Sequence, residues 1–332
     1  MKPLKIGDIT IENGLVLAPM AGYTDRAMRL VCHECGAEFS YTEMVSAKAV
    51  CFGDKKTGIL ARIRADEGPV GIQIFGSEPE IMARAAEELE RGFGESGYVR
   101  PALIDINFGC PVNKIFSNGE GSALMKDPEK IYRIVRAVSS AISIPCTVKI
   151  RSGIDASHIN ATECALAAEE GGAVALALHG RTRVQMYGGL ADREIIRKVK
   201  NSLHIPLIAN GDITDADSAE AMFRDTGADG IMIGRGAVGN PFLFSEISAR
   251  LKGETYEPPT VFGRAEIAKK QLRLAIEDKG ERVAVAEARK QIALYFKGFR
   301  GSAAMRAKIN SSESFAEVCL AIEECVRLES GE

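Results

Sequence analysis

Along the first 250 residues, short apolar runs rich in β-branched residues alternate with segments of helical periodicity. Most of these runs are continuously apolar, which is typical of strands that are buried on both faces. The eight runs cover residues 15–20, 39–44, 70–75, 102–108, 146–150, 173–179, 206–209 and 230–233. Eight βα repeats predict an α/β fold, a closed (β/α)8 TIM barrel of roughly 250 residues. An open, doubly wound sheet is the alternative architecture.

Local signals mark several element boundaries. Residues 77–80, Ser-Glu-Pro-Glu, form a capping-box pattern with a proline at an early helical position. Asp127-Pro128 begins a helix with one apolar face, and residues 214–217 begin another. Residues 4–11, followed by Asn13-Gly14, predict a hairpin ahead of the barrel.

The pattern changes after residue 252. Residues 253–260 have the glycine and proline content of a linker, and residues 267–276, 284–296 and 315–328 have helical periodicity without strand signals. The sequence therefore predicts two regions, a catalytic barrel over residues 1–252 and a linker with a small all-α C-terminal domain over residues 253–332.

Composition is that of a globular protein, with 46% apolar and 26% charged residues. No apolar run reaches the 18 or more residues that a membrane span needs, and the N-terminus has no apolar secretory segment. We therefore expect a cytoplasmic protein with no membrane partner, whose eight cysteines are reduced. Cys32 and Cys35 form one C-x-x-C pair on a predicted helix over residues 24–35. Without a second pair, helix packing is favoured over zinc or redox chemistry, and no metal is expected.

Charge is distributed unevenly along the chain. The net charge is −3, yet residues 264–308 contain twelve lysines and arginines against five acidic residues. Such an asymmetry indicates either a binding surface for a polyanion or a solvated helical face, and charge alone leaves both interpretations open.

Polar and glycine residues stand at or near the end of seven of the eight predicted strands, at the end where a barrel places its active site. They are Ala18-Pro-Met-Ala21, Gln73, Asn107-Phe-Gly-Cys-Pro111, Lys149-Ile-Arg151, His179-Gly-Arg181, Asn210-Gly-Asp212 and Gly234-Arg235.

Two glycine clusters follow the last two predicted strands. The G-x-G-x-x-G pattern over residues 234–239 stands after the eighth strand, whereas a dinucleotide fingerprint follows the first. Barrels often bind phosphate in the loops after strands seven and eight, although a tight turn explains either cluster by itself. With Gln73 and Lys149 at the same mouth, the pattern suits FMN. Lys149 would then stabilise negative charge on the reduced flavin, or else pair with an acidic neighbour.

Cys110 lies between Gly109 and Pro111 at the end of the fourth strand. A free thiol has a pKa near 8.5 and is mostly protonated at neutral pH, so Cys110 is a candidate proton donor. A purely structural role is the alternative.

Six strings resemble the tRNA-dihydrouridine synthases, particularly the bacterial B-type, and the resemblance extends from residue 4 to about 310. The strings are Ala-Pro-Met-Ala-Gly-Tyr-Thr-Asp (18–25), Ile-Asn-Phe-Gly-Cys-Pro (106–111), Lys-Ile-Arg-Ser-Gly (149–153), His-Gly-Arg-Thr-Arg (179–183), Ala-Asn-Gly-Asp-Ile (209–213) and Met-Ile-Gly-Arg (232–235).

This resemblance implies which residues form the site. The implied FMN contacts are Pro19, Met20, Ala21, Gln73, Lys149, His179, Asn210, Gly211, Asp212, Gly234 and Arg235. The implied proton donor is Cys110, and the C-terminal helices resemble a tRNA-binding domain. Asn107 and Arg151 are candidates for holding the uracil edge, and Arg181 and Arg183 are further substrate candidates.

The implied reaction is the NADPH-dependent reduction of one tRNA uridine to 5,6-dihydrouridine. NADPH reduces the FMN, flavin N5 delivers a hydride to C6 of a flipped uracil, and Cys110 protonates C5 from the opposite side. No obligate protein partner is expected. An FMN barrel acting on a free pyrimidine, and a tRNA-binding protein without catalysis, are the alternatives.

Two positions depart from the family pattern. Gln291 stands where relatives usually have histidine, and the loop over residues 112–120 has one lysine where relatives often have several basic residues. Both departures leave the implied flavin site unchanged and concern the contact with tRNA.

Overall fold

A computed structural model describes residues 2–92 and 99–331 of the chain, without the side chains of Lys55 and Lys56. All eight predicted strands are present: β3 (Leu15–Leu17), β4 (Phe39–Tyr41), β6 (Val70–Phe75), β7 (Leu103–Phe108), β8 (Cys146–Arg151), β9 (Ala175–His179), β10 (Leu207–Asn210) and β11 (Gly230–Ile233). They pair in parallel in the order β4-β3-β11-β10-β9-β8-β7-β6. Pairing of β4 with β6 closes the ring, which confirms the TIM barrel and excludes the open sheet.

The predicted hairpin is also confirmed. Strands β1 (Leu4–Ile6) and β2 (Ile9–Ile11) pair antiparallel ahead of the barrel. Leu4, Ile6 and Ile11 are buried and pack with barrel residues such as Phe39 and Leu103 in one apolar cluster. This cluster fills the N-terminal end of the barrel, so that the opposite end carries the polar groups. A two-residue strand, β5 (Val45–Ser46), extends the sheet beside β6.

Alternation along β7 explains how apolar strands carry polar groups. Ile104, Ile106 and Phe108 belong to the large core between the strands and the surrounding helices. Because successive side chains of a strand point to opposite faces, Asp105 and Asn107 face the barrel interior. The interior is therefore apolar at one end and polar at the other.

Helices surround the barrel and continue beyond it. Their bounds are α1 (Arg26–Glu34), α2 (Ala47–Cys51), α3 (Lys55–Ala61), α4 (Pro79–Arg91), α5 (Asn113–Ser117), α6 (Pro128–Ala141), α7 (Ala161–Glu170), α8 (Arg193–Ser202), α9 (Ala216–Thr226), α10 (Leu243–Lys252), α11 (Val261–Lys279), α12 (Glu281–Ala288), α13 (Ser302–Ser311) and α14 (Phe315–Ser330). Short 3-10 turns lie at Ala65–Glu67, Gly121–Lys126, Arg235–Ala237 and Ile292–Phe296.

The predicted helix starts are mostly correct, with one exception. Asp127 caps α6 by accepting a hydrogen bond from the Lys130 N–H, and Asp215 caps α9 in the same way. The capping box at residues 77–80 was wrong, since α4 has Glu78 at its N-cap and no side-chain cap. Proline is tolerated at the first helical position, so Pro79 begins the helix and leaves Ser77 one residue too early to cap it.

The C-terminal helices differ from the prediction in two places. The single helix expected over 284–296 is divided into α12 and the 3-10 turn Ile292–Phe296. Four of the five residues in that turn, Ile292, Ala293, Tyr295 and Phe296, are buried. The apolar run that predicted a continuous helix is therefore also satisfied by a short, buried 3-10 turn. Helix α13 was not predicted, because only Met305 and Ile309 are buried along it and the apolar signal is weak.

The C-terminal helices form their own apolar cluster, which includes Ala27 of α1. Two ion pairs join the same surfaces, Arg26 with Asp278 at 2.7 Å and Lys279 with Asp25 at 2.6 Å. Helix α1 follows directly on the loop after β3, so the helical cluster packs beside one of the loops at the barrel mouth. Within the described parts of the chain, no helix is both long and apolar enough to span a membrane.

Candidate active site

Strand register brings the predicted site residues together. Asn107 of β7 is paired with Lys149 of β8, while His179 of β9 is paired with both Arg151 of β8 and Asn210 of β10. Their side chains alternate to the barrel interior at the C-terminal ends of four adjacent strands. These residues therefore form one polar wall of the barrel mouth, as predicted.

Cys110 is held by the residues around it. The Oδ1 atom of Asn107 accepts hydrogen bonds from the N–H groups of Gly109 (3.0 Å) and Cys110 (2.8 Å). On the other side, the Ser122 hydroxyl donates to the Cys110 carbonyl at 2.7 Å. The residue is only 7% exposed, and this burial raises the pKa of its thiol. The thiol is therefore protonated at neutral pH, as a proton donor must be.

Lys149 forms a hydrogen bond and no ion pair within the described residues. Its Nζ donates to Oδ1 of Asn210 at 3.0 Å, and the Asn210 amide donates in turn to the Met232 carbonyl at 2.8 Å. Burial and the neighbouring charge of Arg151 lower the pKa of Lys149 to about 7. Lys149 is therefore held by the Asn210 amide, and the alternative interpretation, a salt bridge to an acidic neighbour, is excluded for the described residues.

Arg151 and Arg181 are buried and donate mainly to the main chain. Arg151 donates to the carbonyls of Gly109, Thr182 and Met186 at 2.8–3.0 Å, which ties the Cys110 loop to the loop after β9. Arg181 donates to the Gly188 carbonyl at 3.0 Å and pairs with Asp212 at 2.7 Å. These contacts occupy much of the donor capacity that the sequence analysis assigned to substrate.

The loops after β10 and β11 meet at Asp212. Burial opposes its ionisation, but hydrogen bonds from the Ala191 N–H and from Arg181 outweigh that effect and lower the pKa of Asp212. Arg235 lies 3.9 Å from the same carboxylate and stacks on the Tyr187 ring. The main-chain N–H groups of Asp212 and Gly234 donate to no acceptor within residues 2–92 and 99–331.

The three glycines of the G-x-G-x-x-G pattern have different roles. A Cβ on Gly236 would lie 2.2 Å from the Ile213 oxygen, and one on Gly239 would lie 2.4 Å from Leu294 Cβ. Packing therefore requires glycine at those two positions. A Cβ on Gly234 would make only ordinary contacts, the nearest at 3.5 Å to Met20 Sδ. Packing thus accounts for Gly236 and Gly239, and Gly234 stays a predicted phosphate contact.

His179 is a neutral group among cations. Burial, together with the charges of Lys149, Arg151, Arg181 and Arg235, lowers the pKa of its imidazole. Of these cations, Arg181 and Arg235 lie within 4 Å of the Asp212 carboxylate, whereas Lys149 and Arg151 form no ion pair within the described residues. The mouth consequently has an excess of positive charge beside two unpaired N–H groups, which fits an anionic ligand.

The remaining predicted residues lie on the loops around the mouth. Pro19 and Met20 are half-buried and Ala21 is exposed, and the Met20 N–H donates to the Thr24 hydroxyl at 2.9 Å. The Arg183 guanidinium stacks 3.8 Å above the Phe116 ring and donates to Asn113 at 2.6 Å. Arg183 thus joins the loop after Cys110 to the loop after β9.

One interior residue was missed by the sequence analysis. Asp105 is 1% exposed and accepts hydrogen bonds from Gln73 and Thr147, each at 2.7 Å. A signal was available in the sequence. A charged residue two positions before Asn107 on an otherwise apolar strand must share the inward face with it.

Burial settles the role of Gln291 in the fold. Its side chain is 4% exposed inside the helical cluster and accepts a hydrogen bond from Gln271, which in turn accepts one from the Tyr295 hydroxyl. Gln291 therefore packs within the cluster, so any effect of this replacement on tRNA contact would act through the fold of the helices.

The basic segment divides into paired and unpaired cations. Lys269, Lys270, Lys279 and Lys308 form ion pairs with acidic residues. Seven exposed cations of this segment form no ion pair within the described residues: Arg273, Arg282, Arg289, Lys290, Lys297, Arg300 and Arg306. Of these, Arg273 stacks on the Phe315 ring and Arg289 donates to the Ser312 carbonyl. A positive surface thus remains on the C-terminal helices after pairing.

The C-x-x-C pair is buried on and just after α1. Both thiols are free, and burial raises their pKa values. No cluster of three or more histidine, cysteine or acidic residues suited to a metal ion occurs in the described parts of the chain.

Comparison with known proteins identifies the family. The model of the dihydrouridine synthase family, "Dihydrouridine synthase (Dus)", matches residues 16–329. A Synechocystis protein named "Probable tRNA-dihydrouridine synthase 1" is 41% identical over 318 residues, covering 95% of this chain and 87% of its own. The tRNA-dihydrouridine synthase B of Pseudomonas putida is 37% identical, with coverages of 96% and 93%.

Solved structures show the same barrel at low sequence identity. Histamine dehydrogenase from Rhizobium sp. 4-9 has a TM-score of 0.55 at 13% identity, covering 82% of this chain and 50% of that chain. Morphinone reductase has a TM-score of 0.54 at 13% identity, with coverages of 79% and 91%. These likenesses concern the fold alone. On the family match and the full-length relatives, the chain belongs to the dihydrouridine synthase family.

Proposed function

We propose that this protein reduces a uridine of tRNA to 5,6-dihydrouridine, with FMN bound at the barrel mouth and NADPH as the electron donor. Family membership supports the reaction, and the relatives are named for it. The observation that carries the proposal within this chain is a protonated, nearly buried thiol at Cys110, held by Asn107 at the polar mouth.

The residues at the mouth fit FMN. Unpaired N–H groups at Asp212 and Gly234, with Arg235 beside them, would hold its phosphate. Lys149, Gln73 and His179 would lie against its ring, with Pro19, Met20, Ala21, Asn210 and Gly211 completing the contacts. When bound, FMN supplies the hydride that the reduction requires.

This chain's residues would supply the proton and the orientation. Cys110 holds a proton on Sγ and gives it to C5 of the uracil. Asn107 donates one N–H to Gln73 and the other to the Met44 sulfur at 3.8 Å, a weak contact that the uracil edge would replace. Arg151 and Arg181 fix the loops around the base, and Arg183 remains a candidate substrate contact at the rim.

We further propose that residues 253–332 bind tRNA and residues 1–252 carry the chemistry. The exposed cations of the C-terminal region that form no ion pair among the described residues support this division, because phosphate contacts dominate nucleic-acid affinity.

The test uses purified full-length protein. We expect a yellow protein that releases FMN on denaturation, and anaerobic reoxidation of the NADPH-reduced protein on addition of unmodified tRNA. Bound FAD, stoichiometric zinc without flavin, or reoxidation by free uracil but not by tRNA would overturn the proposal.

A further inference from the structure

A carboxylate in the barrel interior lies behind the residues that face the mouth. Strand register aligns Asp105 of β7 with Gln73 of β6 on one side and Thr147 of β8 on the other. Oδ2 of Asp105 accepts from Gln73 Nε2 and Oδ1 accepts from the Thr147 hydroxyl, each at 2.7 Å. An ionised carboxylate only accepts hydrogen bonds, so both neighbours must act as donors.

The orientation of Gln73 passes on to Cys110 through a second amide. With Nε2 of Gln73 directed to Asp105, its Oε1 accepts from Nδ2 of Asn107 at 2.7 Å. Oδ1 of Asn107 then faces the N–H groups of Gly109 and Cys110, which can only donate. The chain of amides therefore begins at an acceptor, the Asp105 carboxylate, and ends at two donors, the N–H groups of Gly109 and Cys110. With both ends fixed in this way, the side-chain amides of Gln73 and Asn107 can each adopt only one orientation.

This arrangement also decides what the mouth presents to a ligand. Gln73 keeps its second N–H outside the network, and Asn107 gives its second N–H to the sulfur of Met44 at 3.8 Å, a weak acceptor that a ligand could replace. Gln73 and Asn107 therefore offer N–H donors to the ligands of the mouth, while both acceptor sites of the Asn107 oxygen are taken by Gly109 and Cys110.

We infer that Asp105 is a positioning residue for the reaction, fixing the amides of Gln73 and Asn107 as donors and, through them, the main chain of Cys110. The inference rests on the proposed function for its effect on turnover, but the effect on the Cys110 main chain is independent of it. Asp105 itself is 1% exposed and is not among the residues proposed to contact substrate or cofactor.

Other groups face Asp105 from the strands around it. Tyr41 of β4, and Cys146, Thr147 and Lys149 of β8, surround the carboxylate. Burial raises the pKa of Asp105 to about 6, and its hydrogen bonds and the charge of Lys149 act against that increase. At pH 7.5 to 8 the carboxylate is ionised, and variants are best compared there.

Three variants separate orientation from charge and packing. Asp105→Leu removes the acceptor that orients Gln73. Asp105→Asn removes the charge but keeps an oxygen for Gln73, with its N–H directed to the Thr147 oxygen. Thr147→Val removes the other partner of Asp105 and leaves the branch through Gln73, Asn107 and Cys110 intact.

Two measurements on FMN-loaded, full-length protein test the inference at pH 8. In Asp105→Leu, hydrogen exchange at the main-chain amides of Gly109 and Cys110 should be at least about tenfold faster, because their acceptor is no longer fixed. The rate of tRNA-driven reoxidation should fall about 10- to 100-fold with an unchanged KM for tRNA, the scale expected for a misplaced catalytic group. In Asp105→Asn and Thr147→Val, the exchange rates and the rate of tRNA-driven reoxidation should both stay within about threefold of the wild-type values.

Equal losses in Asp105→Leu and Thr147→Val would show a general packing role and overturn the inference. So would wild-type exchange in Asp105→Leu, or a loss in Asp105→Asn as large as in Asp105→Leu. If Asp105→Leu does not fold or retain flavin, Asp105→Ser replaces it with the same expectations, because its hydroxyl can donate or accept. A wild-type protein inactive on tRNA would refute the proposed function, while the exchange result would still test Asp105.

Discussion

The side-chain oxygen of Asn107 lies 2.8 Å from the main-chain nitrogen of Cys110 and accepts its hydrogen bond. The two residues are three positions apart on the chain: Asn107 lies near the end of β7, and Cys110 lies in the loop that follows it. A single oxygen thereby holds the residue whose thiol would protonate the substrate, and it also accepts from Gly109. The arrangement places a weak acid at a fixed point of the mouth without requiring a charged partner.

Replacing the thiol should separate chemistry from folding. In Cys110→Ala, flavin content and NADPH oxidation should be retained, whereas reduction of tRNA should fall by roughly two to four orders of magnitude, the usual contribution of general acid catalysis. The half-reactions are followed by flavin absorbance, first with NADPH and then with tRNA under anaerobic conditions. Cys164→Ala, a buried cysteine on α7, is the matched control and should keep normal turnover per folded molecule. Wild-type reoxidation of Cys110→Ala by tRNA would show that another group supplies the proton.

Binding of FMN should depend on pH through Lys149. The pKa of Lys149 in the ligand-free site is lowered to about 7, so above that pH the amine is largely neutral and must take up a proton to face the anionic ring of reduced FMN. The affinity for reduced FMN should therefore weaken as the pH rises from 7 to 9, by up to about tenfold per pH unit. The midpoint potential of the bound flavin, compared with that of free FMN at each pH, measures this change. Lys149→Met should bind more weakly at pH 6.5 and lose this slope, and a slope unchanged in that variant would assign the effect to another group.

Exposed cations of the C-terminal helices should determine the affinity for tRNA. Substituting Lys290 or Arg306 with glutamine should weaken binding at 0.1 M salt and reduce the slope of log K against log salt by roughly one for each phosphate that the variant no longer neutralises. Lys308→Gln is the control, because Lys308 pairs with Glu324. Filter binding over a salt series gives both quantities. If the control lowered the slope as much as the unpaired positions, the surface assignment would be incorrect.

The buried polar network of the helical cluster should contribute to stability. Tyr295→Phe removes the donor to Gln271 Oε1 in a fully buried setting, and the unsatisfied oxygen should destabilise the fold by about 1–3 kcal/mol. Tyr256→Phe is the control, since that hydroxyl is half-buried and its hydrogen bond to the Phe242 carbonyl is 3.4 Å long. Chemical denaturation of both variants measures their free energies of unfolding. Equal free energies for Tyr295→Phe and Tyr256→Phe would exclude a net contribution of the network to stability.

Periodicity and residue type were sufficient to predict the barrel, the hairpin and the order of residues around the mouth. Eight apolar runs could be recognised because strands buried on both faces leave few polar positions. The exceptions, among them Asn107, Lys149 and His179, stand near strand ends. In a parallel barrel all those ends meet on one rim, so proximity follows from topology once the strands are known.

Only the tertiary structure decided which partners these groups have. Asp105 was not predicted as a site residue from the sequence. Cross-strand register places it between Gln73 and Thr147, and this register depends on how the whole barrel closes. Arg151 and Arg181 are predicted to contact substrate, and the structure adds that their guanidinium groups reach main-chain carbonyls of neighbouring loops. Gln291 stands at a position where relatives usually have histidine, and packing of α11 against the turn after α12 buries it. Local sequence determines which elements form and which face each residue occupies, whereas hydrogen-bond partners and burial depend on residues distant along the chain.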